Sequence, residues 1–179
     1  MSRSDASQSQ PMDRVELQTL QAPLKERYRV EPGTALVTLS AAGELGEGVS
    51  CSLQSGRALA EAGLHPAAGG DGSLLCSGDM LLEALVACAG VTLRAVATSL
   101  EIPVRSGCVR AEGDLDFRGT LGVDRDAPVG FSAIRLSFEL DADADATQLD
   151  NLRRLTERYC VVYQTLAMGP ELTVTVSAG

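Results

Sequence analysis

The stretch from Asp79 to Leu100, DMLLEALVACAGVTLRAVATSL, restricts the chain more than any other. A strand that long would be abnormal, its content is dominated by Ala and Leu, and Pro103 shortly afterwards cannot continue a helix. The stretch therefore predicts a helix roughly 33 Å long at 1.5 Å per residue. A membrane span needs about 20 apolar residues, whereas Glu83 and Arg94 leave only ten between them free of strong charge. Ser77 is the predicted N-cap, and Asp79 in the first turn would meet the positive end of the helix dipole. Apolar residues surround the axis, which predicts burial on nearly all sides. Ala87, Cys88, Ala89 and Gly90 remove bulk from one turn, so another backbone, or the same helix of a second subunit, could approach Cys88 closely. Gly90 costs about 1 kcal/mol relative to Ala in mid-helix, and close approach accounts for it.

The other elements follow from periodicity and punctuation. Residues 1–11 read as a disordered polar tail, and 12–179 as one domain without internal repeats. Met12 to Tyr28 predicts one or two helical turns that stop at Pro23. Ala35–Ser40 and Val49–Leu53 read as a hairpin, which Arg57 to Ala60 either extends or leaves for the next loop. Gly63 to Ser77 holds five Gly or Pro residues and reads as a loop leading into the central helix, either functional or a plain connector. Two half-buried strands follow. Val109, Ala111, Leu115 and Phe117 face inward on one; Ile134, Leu136, Phe138 and Leu140 face inward on the other. Thr147 to Tyr159 is an amphipathic helix closed by Cys160, Val161 to Ala167 a short helix, and Glu171 to Ser177 (ELTVTVS) the last strand. The class is α+β, with antiparallel sheets around a long buried central helix.

A net charge of -9, with no run of Lys or Arg, argues against nucleic acid and against anionic membranes. The polar N-terminus, MSRSDASQSQPMD, has no apolar h-region, so a cytoplasmic location is expected. Five cysteines, one histidine and no CxxC argue against a disulfide framework or a zinc site. Free or redox-active thiols remain. Three Phe, three Tyr and no Trp favour tight packing of small residues over a large aromatic pocket.

Two cysteines stand out by context: Cys88 in the small-residue turn, and Cys160 in TERYCVVYQTL. At the N-terminus of a helix over 161–167, Cys160 would have its thiolate favoured by backbone N–H groups. Cys88, mid-helix, gains nothing from its own helix dipole and would need a cation, with Arg57, Arg94 and Arg158 as candidates. Thiolate is the form that attacks electrophilic oxygen or sulfur.

The segments LLEALVACAGVTL and LTERYCVVYQTL, with these elements between them, resemble the OsmC/Ohr superfamily over roughly Ala35 to Val176. The resemblance implies an OsmC-like fold and an intertwined homodimer whose central helices pack together. It also implies a thiol peroxidase cycle in oxidative stress defence, without metal, flavin or other cofactor. Cys88 would attack an organic hydroperoxide and become a sulfenic acid, and Cys160 would resolve it as a disulfide. A dithiol, a lipoylated protein in some members, would then reduce that disulfide. Peroxidase members carry a Glu ten residues before the first cysteine, orienting a catalytic Arg; here Gly78 stands there, followed by Asp79. Asp79 is the candidate substitute and Arg57 the nearest candidate for the Arg. Val161 stands where Pro usually follows the second cysteine. The alternative is a noncatalytic OsmC-like dimer that binds a small hydrophobic or electrophilic molecule at the subunit interface. Gly78 favours the second reading, and retention of both cysteines favours the first.

The remaining candidates have bland readings. Without the resemblance, a Cys in an Ala-rich helix is an inert core residue. Cys51 and Cys108 fit strands as structural or incidental residues, and Cys76 is either an alternative resolving thiol or a packing residue. His65, followed by Pro66, has no evident partner. Glu83 lies off the Cys88 face and is expected to pair with a cation at a subunit contact; Arg94 is likewise off that face. Arg158 and Tyr159 adjoin Cys160 and either influence it or form a solvated helix end.

Overall fold

The computed structural model describes residues 13–31, 43–45, 50–55, 58–122 and 124–177. The polar tail over 1–11, the strand expected over Ala35–Ser40 and the candidate Arg57 lie outside them.

The first helix, α1 (Arg14–Val30), begins at a capping box: the Glu16 amide donates to Asp13 Oδ1 at 2.8 Å, and the Asp13 amide to Glu16 Oε2 at 3.0 Å. It runs straight through Pro23, where a stop was expected. An internal proline costs about 3 kcal/mol, which a capped N-terminus and packing along another helix offset.

Strands β1 (Gly43–Leu45), β2 (Ser50–Ser55) and β3 (Ala58–Gly63) form an antiparallel meander, so the segment after Arg57 does extend the sheet. The Gly-rich stretch is more ordered than a plain loop. His65 caps a 3-10 turn over Pro66–Ala68 by accepting from the Ala67 amide through Nδ1 at 3.0 Å. Its ring stacks on Phe117, with centroids 4.9 Å apart, which is the partner the sequence left unseen. Strand β4 (Leu75–Cys76) then pairs with β3 in parallel, a pairing that the antiparallel expectation omitted.

The central helix is α2 (Ser77–Ser99). Its N-cap is Cys76, whose side chain makes no capping bond, and not Ser77; pairing of Leu75 and Cys76 with β3 holds them extended and starts the helix directly after them. Burial is confined to one stripe, Leu85, Ala89, Leu93, Val96 and Ala97, packed on β5, α4 and α5. The expected all-round burial does not occur within one chain, because Leu81, Ala84, Ala87 and Val91 face outward, with Val91 74% exposed. By length and a mean hydropathy of 1.8, α2 could cross a membrane. Its packed stripe and its charged residues Asp79, Glu83 and Arg94 instead make it a core helix.

The helix ends in a Schellman motif. The Ile102 amide donates to the Ala97 carbonyl at 2.9 Å and the Glu101 amide to the Thr98 carbonyl at 3.2 Å, with Glu101 at φ 58°. A left-handed non-glycine residue is strained, and the Arg14–Glu101 ion pair at 2.7 Å is too exposed to compensate fully. Glu101→Gly is therefore expected to stabilise the fold by roughly 0.5–1 kcal/mol. Thermal unfolding reads this, and a lowered Tm would show that the ion pair dominates.

Strands β5 (Val104–Leu115) and β6 (Phe131–Ala142) pair antiparallel, with Val109 opposite Phe138 and Ala111 opposite Leu136 on the half-buried face, as their period-two pattern predicts. The outer face is laced by exposed ion pairs, among them Arg110–Glu139, Arg105–Asp141 and Arg135 with Asp114 and Glu112. Phe117 does not continue β5. Asp116 caps the short helix α3 (Phe117–Thr120) through the Arg118 amide, turning the chain so that Phe117 meets His65.

Helix α4 (Ala146–Tyr159) opens on a second capping box, Asp145 with Gln148, and α5 (Val161–Met168) follows after the single residue Cys160. Among the described residues the expected strand over Glu171–Ser177 makes no ladder, and Leu172, Val174 and Val176 are almost fully exposed. Its alternation suits a strand, but within the described residues it pairs with no edge, and strand alternation without a partner does not fold.

Candidate functional site

The two cysteines the sequence singled out come together although 72 residues separate them. Leu85 and Ala89 of α2 form a buried cluster with Cys160, against which Cys88 of the same helix and Ile134, Leu136 and Phe138 of β6 also pack. Cys160 is fully buried at 0% exposure, and Cys88 is half-buried; both are free thiols.

Their position follows from local chemistry. The break between α4 and α5 sets Cys160 at φ -74°, ψ 110°, where it serves as C-cap of one helix and N-cap of the next. Its sulfur accepts from the Tyr163 amide at 3.5 Å. Gln164 fastens the junction by donating through its side chain to the Glu157 carbonyl at 2.8 Å. The unpaired amides that begin α5 therefore point at the α2 face carrying Cys88.

Electrostatics separate the two thiols. Partial burial pushes the Cys88 pKa up, but donation from the Val162 amide, the Cys160 thiol, the Val161 amide and the Thr92 hydroxyl outweighs it, and the net shift is downward. For Cys160, burial pushes the pKa up most strongly. The Tyr163 and Val162 amides oppose this, while hydrogen bonding to Cys88 and its charge add to it, and the net shift is upward. The sequence placed the helix-terminus benefit on Cys160 and denied it to Cys88. The structure gives Cys160 that amide donation, through Tyr163 and Val162, but its burial outweighs it, and the Val162 and Val161 amides also serve the neighbouring sulfur on α2. Of the pair, Cys88 is thus the more readily ionised and Cys160 the less.

Among the described residues, no cation is one of the contacts that shift Cys88. Arg94 donates to the Val104 carbonyl at 2.5 Å, and the Arg158 guanidinium lies over the Tyr159 ring, 5.7 Å from its centroid. Asp79 is exposed in the first turn of α2, nine residues and about 14 Å along the axis from Cys88, so within one chain it does not join the pair. A Cβ at Gly78 would meet the Phe131 ring at 3.4 Å, Cys76 Sγ at 3.5 Å and Leu115 at 3.9 Å, an apolar setting. Cys76 and Cys108 lie apart from the pair, Cys76 at the start of α2 and Cys108 exposed on β5. Glu83 is exposed on α2. Among the described residues no three His, Cys, Asp or Glu side chains could hold a metal ion.

Sequence reasoning missed Thr92 and the amides of Val161 and Val162. Thr92 was legible in principle, since a residue four positions after Cys88 shares its helix face. The amides carry no side-chain signature.

Comparison with known proteins locates the architecture. The family model for OsmC-like protein matches residues 70–175. The fold is similar to an OsmC-like protein from Mycoplasma pneumoniae at a TM-score of 0.63, with 18% identity over 74% of this chain and 89% of that one. It is also similar to an organic hydroperoxide resistance protein OsmC from Legionella pneumophila, at TM-score 0.58 and 16% identity over 74% and 91% of the two chains. For the organic hydroperoxide resistance protein OhrB of Bacillus subtilis, the TM-score is 0.52 at 16% identity, over 74% and 93%. No curated protein matches the sequence.

Proposed function

The chain belongs to the OsmC-like family, and on that premise we propose that it is a thiol peroxidase that reduces organic hydroperoxides through Cys88 and Cys160. The observation that carries this reading is the opposed tuning of two touching thiols, one lowered by amides of α5 and the other raised by burial. The Cys88 thiolate attacks the terminal oxygen of ROOH. The O–O bond breaks, the electron pair leaves on the alkoxide, which takes a proton to become ROH, and sulfur is oxidised to the sulfenic acid. Cys160 then attacks that sulfur. Its thiol proton goes with the departing hydroxide as water, and a disulfide remains. A dithiol, such as a lipoyl group on a partner protein, returns both sulfurs to thiols by exchange.

The working unit in this proposal is a cytoplasmic homodimer. Its support is the apolar surface one chain leaves uncovered: Ala84, Ala87 and Val91 along α2, and the alternating Leu172, Val174 and Val176, with Val174 90% exposed. The second reading, a noncatalytic dimer that binds a small hydrophobic or electrophilic molecule, is favoured by one observation. Gly78, which stands where peroxidase members carry a Glu, lies against Phe131, Cys76 and Leu115.

One equivalent of cumene hydroperoxide, followed by non-reducing peptide mass spectrometry, tests the pair. A Cys88–Cys160 linkage is expected in most of the protein. Recovery of both thiols unmodified would favour the binding reading.

A further inference from the structure

In an unbroken helix each amide donates to the carbonyl four residues earlier, so the Val161 amide would bond to the Glu157 carbonyl and the Val162 amide to the Arg158 carbonyl. The α4–α5 junction interrupts that ladder just after the Cys160 amide donates to the Thr156 carbonyl at 2.9 Å. With Cys160 at ψ 110°, the Val161 and Val162 amides leave α4 and donate to the Cys88 sulfur. The ladder resumes in α5, where the Gln164 amide donates to the Cys160 carbonyl, also at 2.9 Å. An interrupted helix leaves its last carbonyls without intrahelical partners, and in a packed junction an orphaned carbonyl is costly. The Glu157 carbonyl, which the break deprives of the Val161 amide, is taken instead by the Gln164 side chain: its Nε2 donates at 2.8 Å in a half-buried contact. Gln164 therefore stands where Val161 would otherwise donate.

We propose that Gln164 is a positioning residue for Cys88: by occupying the Glu157 carbonyl, its side chain keeps the Val161 amide on the Cys88 sulfur. Without that donor the Glu157 carbonyl is orphaned. The nearest replacement is the Val161 amide, recovered by winding α4 on by one residue, and the same amide then leaves the sulfur. Two acceptors compete for one N–H, and the glutamine decides between them. Because its side chain bonds to the backbone of α4, Gln164 acts on Cys88 through Val161 and not by contact. The inference deepens the thiol peroxidase reading and rests on it for its catalytic consequence, since an amide on the sulfur favours the attacking thiolate.

Iodoacetamide labelling of Cys88 against pH, resolved by peptide in the full chain, tests it. Gln164→Met keeps the length of the side chain and removes its donor. Half-maximal labelling of Cys88 is expected to move up by about one pH unit, the effect of losing one N–H donor to a thiolate. The Cys160 thiol and the Thr92 hydroxyl, the side-chain donors to Cys88, are unaltered by the substitution. The residues of β5 and β6 packed on the same cluster, Val109, Ala111, Ile134, Leu136 and Phe138, carry no charge. Gln164→Asn keeps the amide but shortens its reach by one methylene. It should shift the profile in the same direction, and it reads the same contact where the Met protein is too unstable to label. Thr165→Gly weakens the exposed side of α5 without touching the Glu157 carbonyl, so it should lower the Tm and leave the Cys88 profile unchanged. An unchanged profile in the Gln164 variants, or an equal shift in Thr165→Gly, would overturn the proposal. Labelling needs no hydroperoxide, so a shifted profile in a protein that forms no Cys88–Cys160 disulfide would retire the peroxidase reading and keep the positioning role.

Discussion

Cys88→Ser is expected to reduce consumption of cumene hydroperoxide, with dithiothreitol as reductant, to the uncatalysed rate. Serine keeps the size and the hydrogen-bonding position of the group, but amide donors of the strength found here cannot ionise a hydroxyl as they do a thiol. The fold should survive, since Cys88 is only half-buried and the substitution leaves no cavity. Cys160→Ser should behave differently. Its first turnover should proceed, and the oxidised Cys88 should persist as a sulfenic acid that dimedone traps, because no neighbouring thiol displaces the hydroxide. Equal hydroperoxide consumption by wild type and Cys88→Ser would remove Cys88 from the chemistry. The pH dependence follows from the opposed shifts. With its pKa lowered, Cys88 ionises at lower pH than an ordinary thiol; with its pKa raised, Cys160 ionises at higher pH. Iodoacetamide labelling resolved by peptide should therefore reach half its maximal rate at lower pH for Cys88 than for Cys160. The reverse order would refute the assignment of attacking and resolving roles.

Leu152→Ala is expected to cost about 2–5 kcal/mol of stability, the range for removing a buried leucine and leaving its cavity. Leu152 of α4 is 1% exposed and sits among Leu93, Val96, Ala97 and Ile102, the cluster that joins α4 to the lower half of α2. The cost should lie at the upper end, because the neighbours are held by two helices and a Schellman turn and cannot collapse into the gap. Urea denaturation measures it. Cys88 belongs to the other cluster, so the Leu152→Ala protein below its unfolding transition should keep the wild-type alkylation profile. A loss under 1 kcal/mol would mean that this part of the core is loosely packed in solution.

The parts of this molecule that were legible in the sequence are those where one chain supplies both halves of a contact. The period-two runs around Val109 and Phe138 did become paired strands, and the amphipathic run from Thr147 to Tyr159 did become a helix. Cys88 and Cys160 were legible only as a pair of family positions. Without the resemblance Cys88 reads as an inert core residue and Cys160 as a helix-boundary thiol, and their proximity depends on the α4–α5 break. The failures are also physical. Pro23 reads as a stop because its local cost is visible and the packing that offsets it is not. Phe117 fits the strand pattern by parity, yet Asp116 before it captures the Arg118 amide and starts a helix. Glu171–Ser177 has the alternation of a strand, but a strand is a relation between two segments and periodicity reports only one.

Two of the donors that set Cys88, the Val162 and Val161 amides, belong to the peptide backbone, and this changes how the site can vary over generations. Exchanging Val161 or Val162 for almost any residue keeps the same N–H groups aimed at the same sulfur, so these positions can drift without touching reactivity. Alanine scanning around Cys88 would find Thr92 and nothing at Val161 or Val162, and would understate where activation resides. Proline is the one natural residue that deletes such a donor, and at the first turn of a helix it does so without breaking the helix. Its presence or absence after the second cysteine is therefore a chemical variable, readable in any related sequence as one amide fewer or one more on the reacting sulfur.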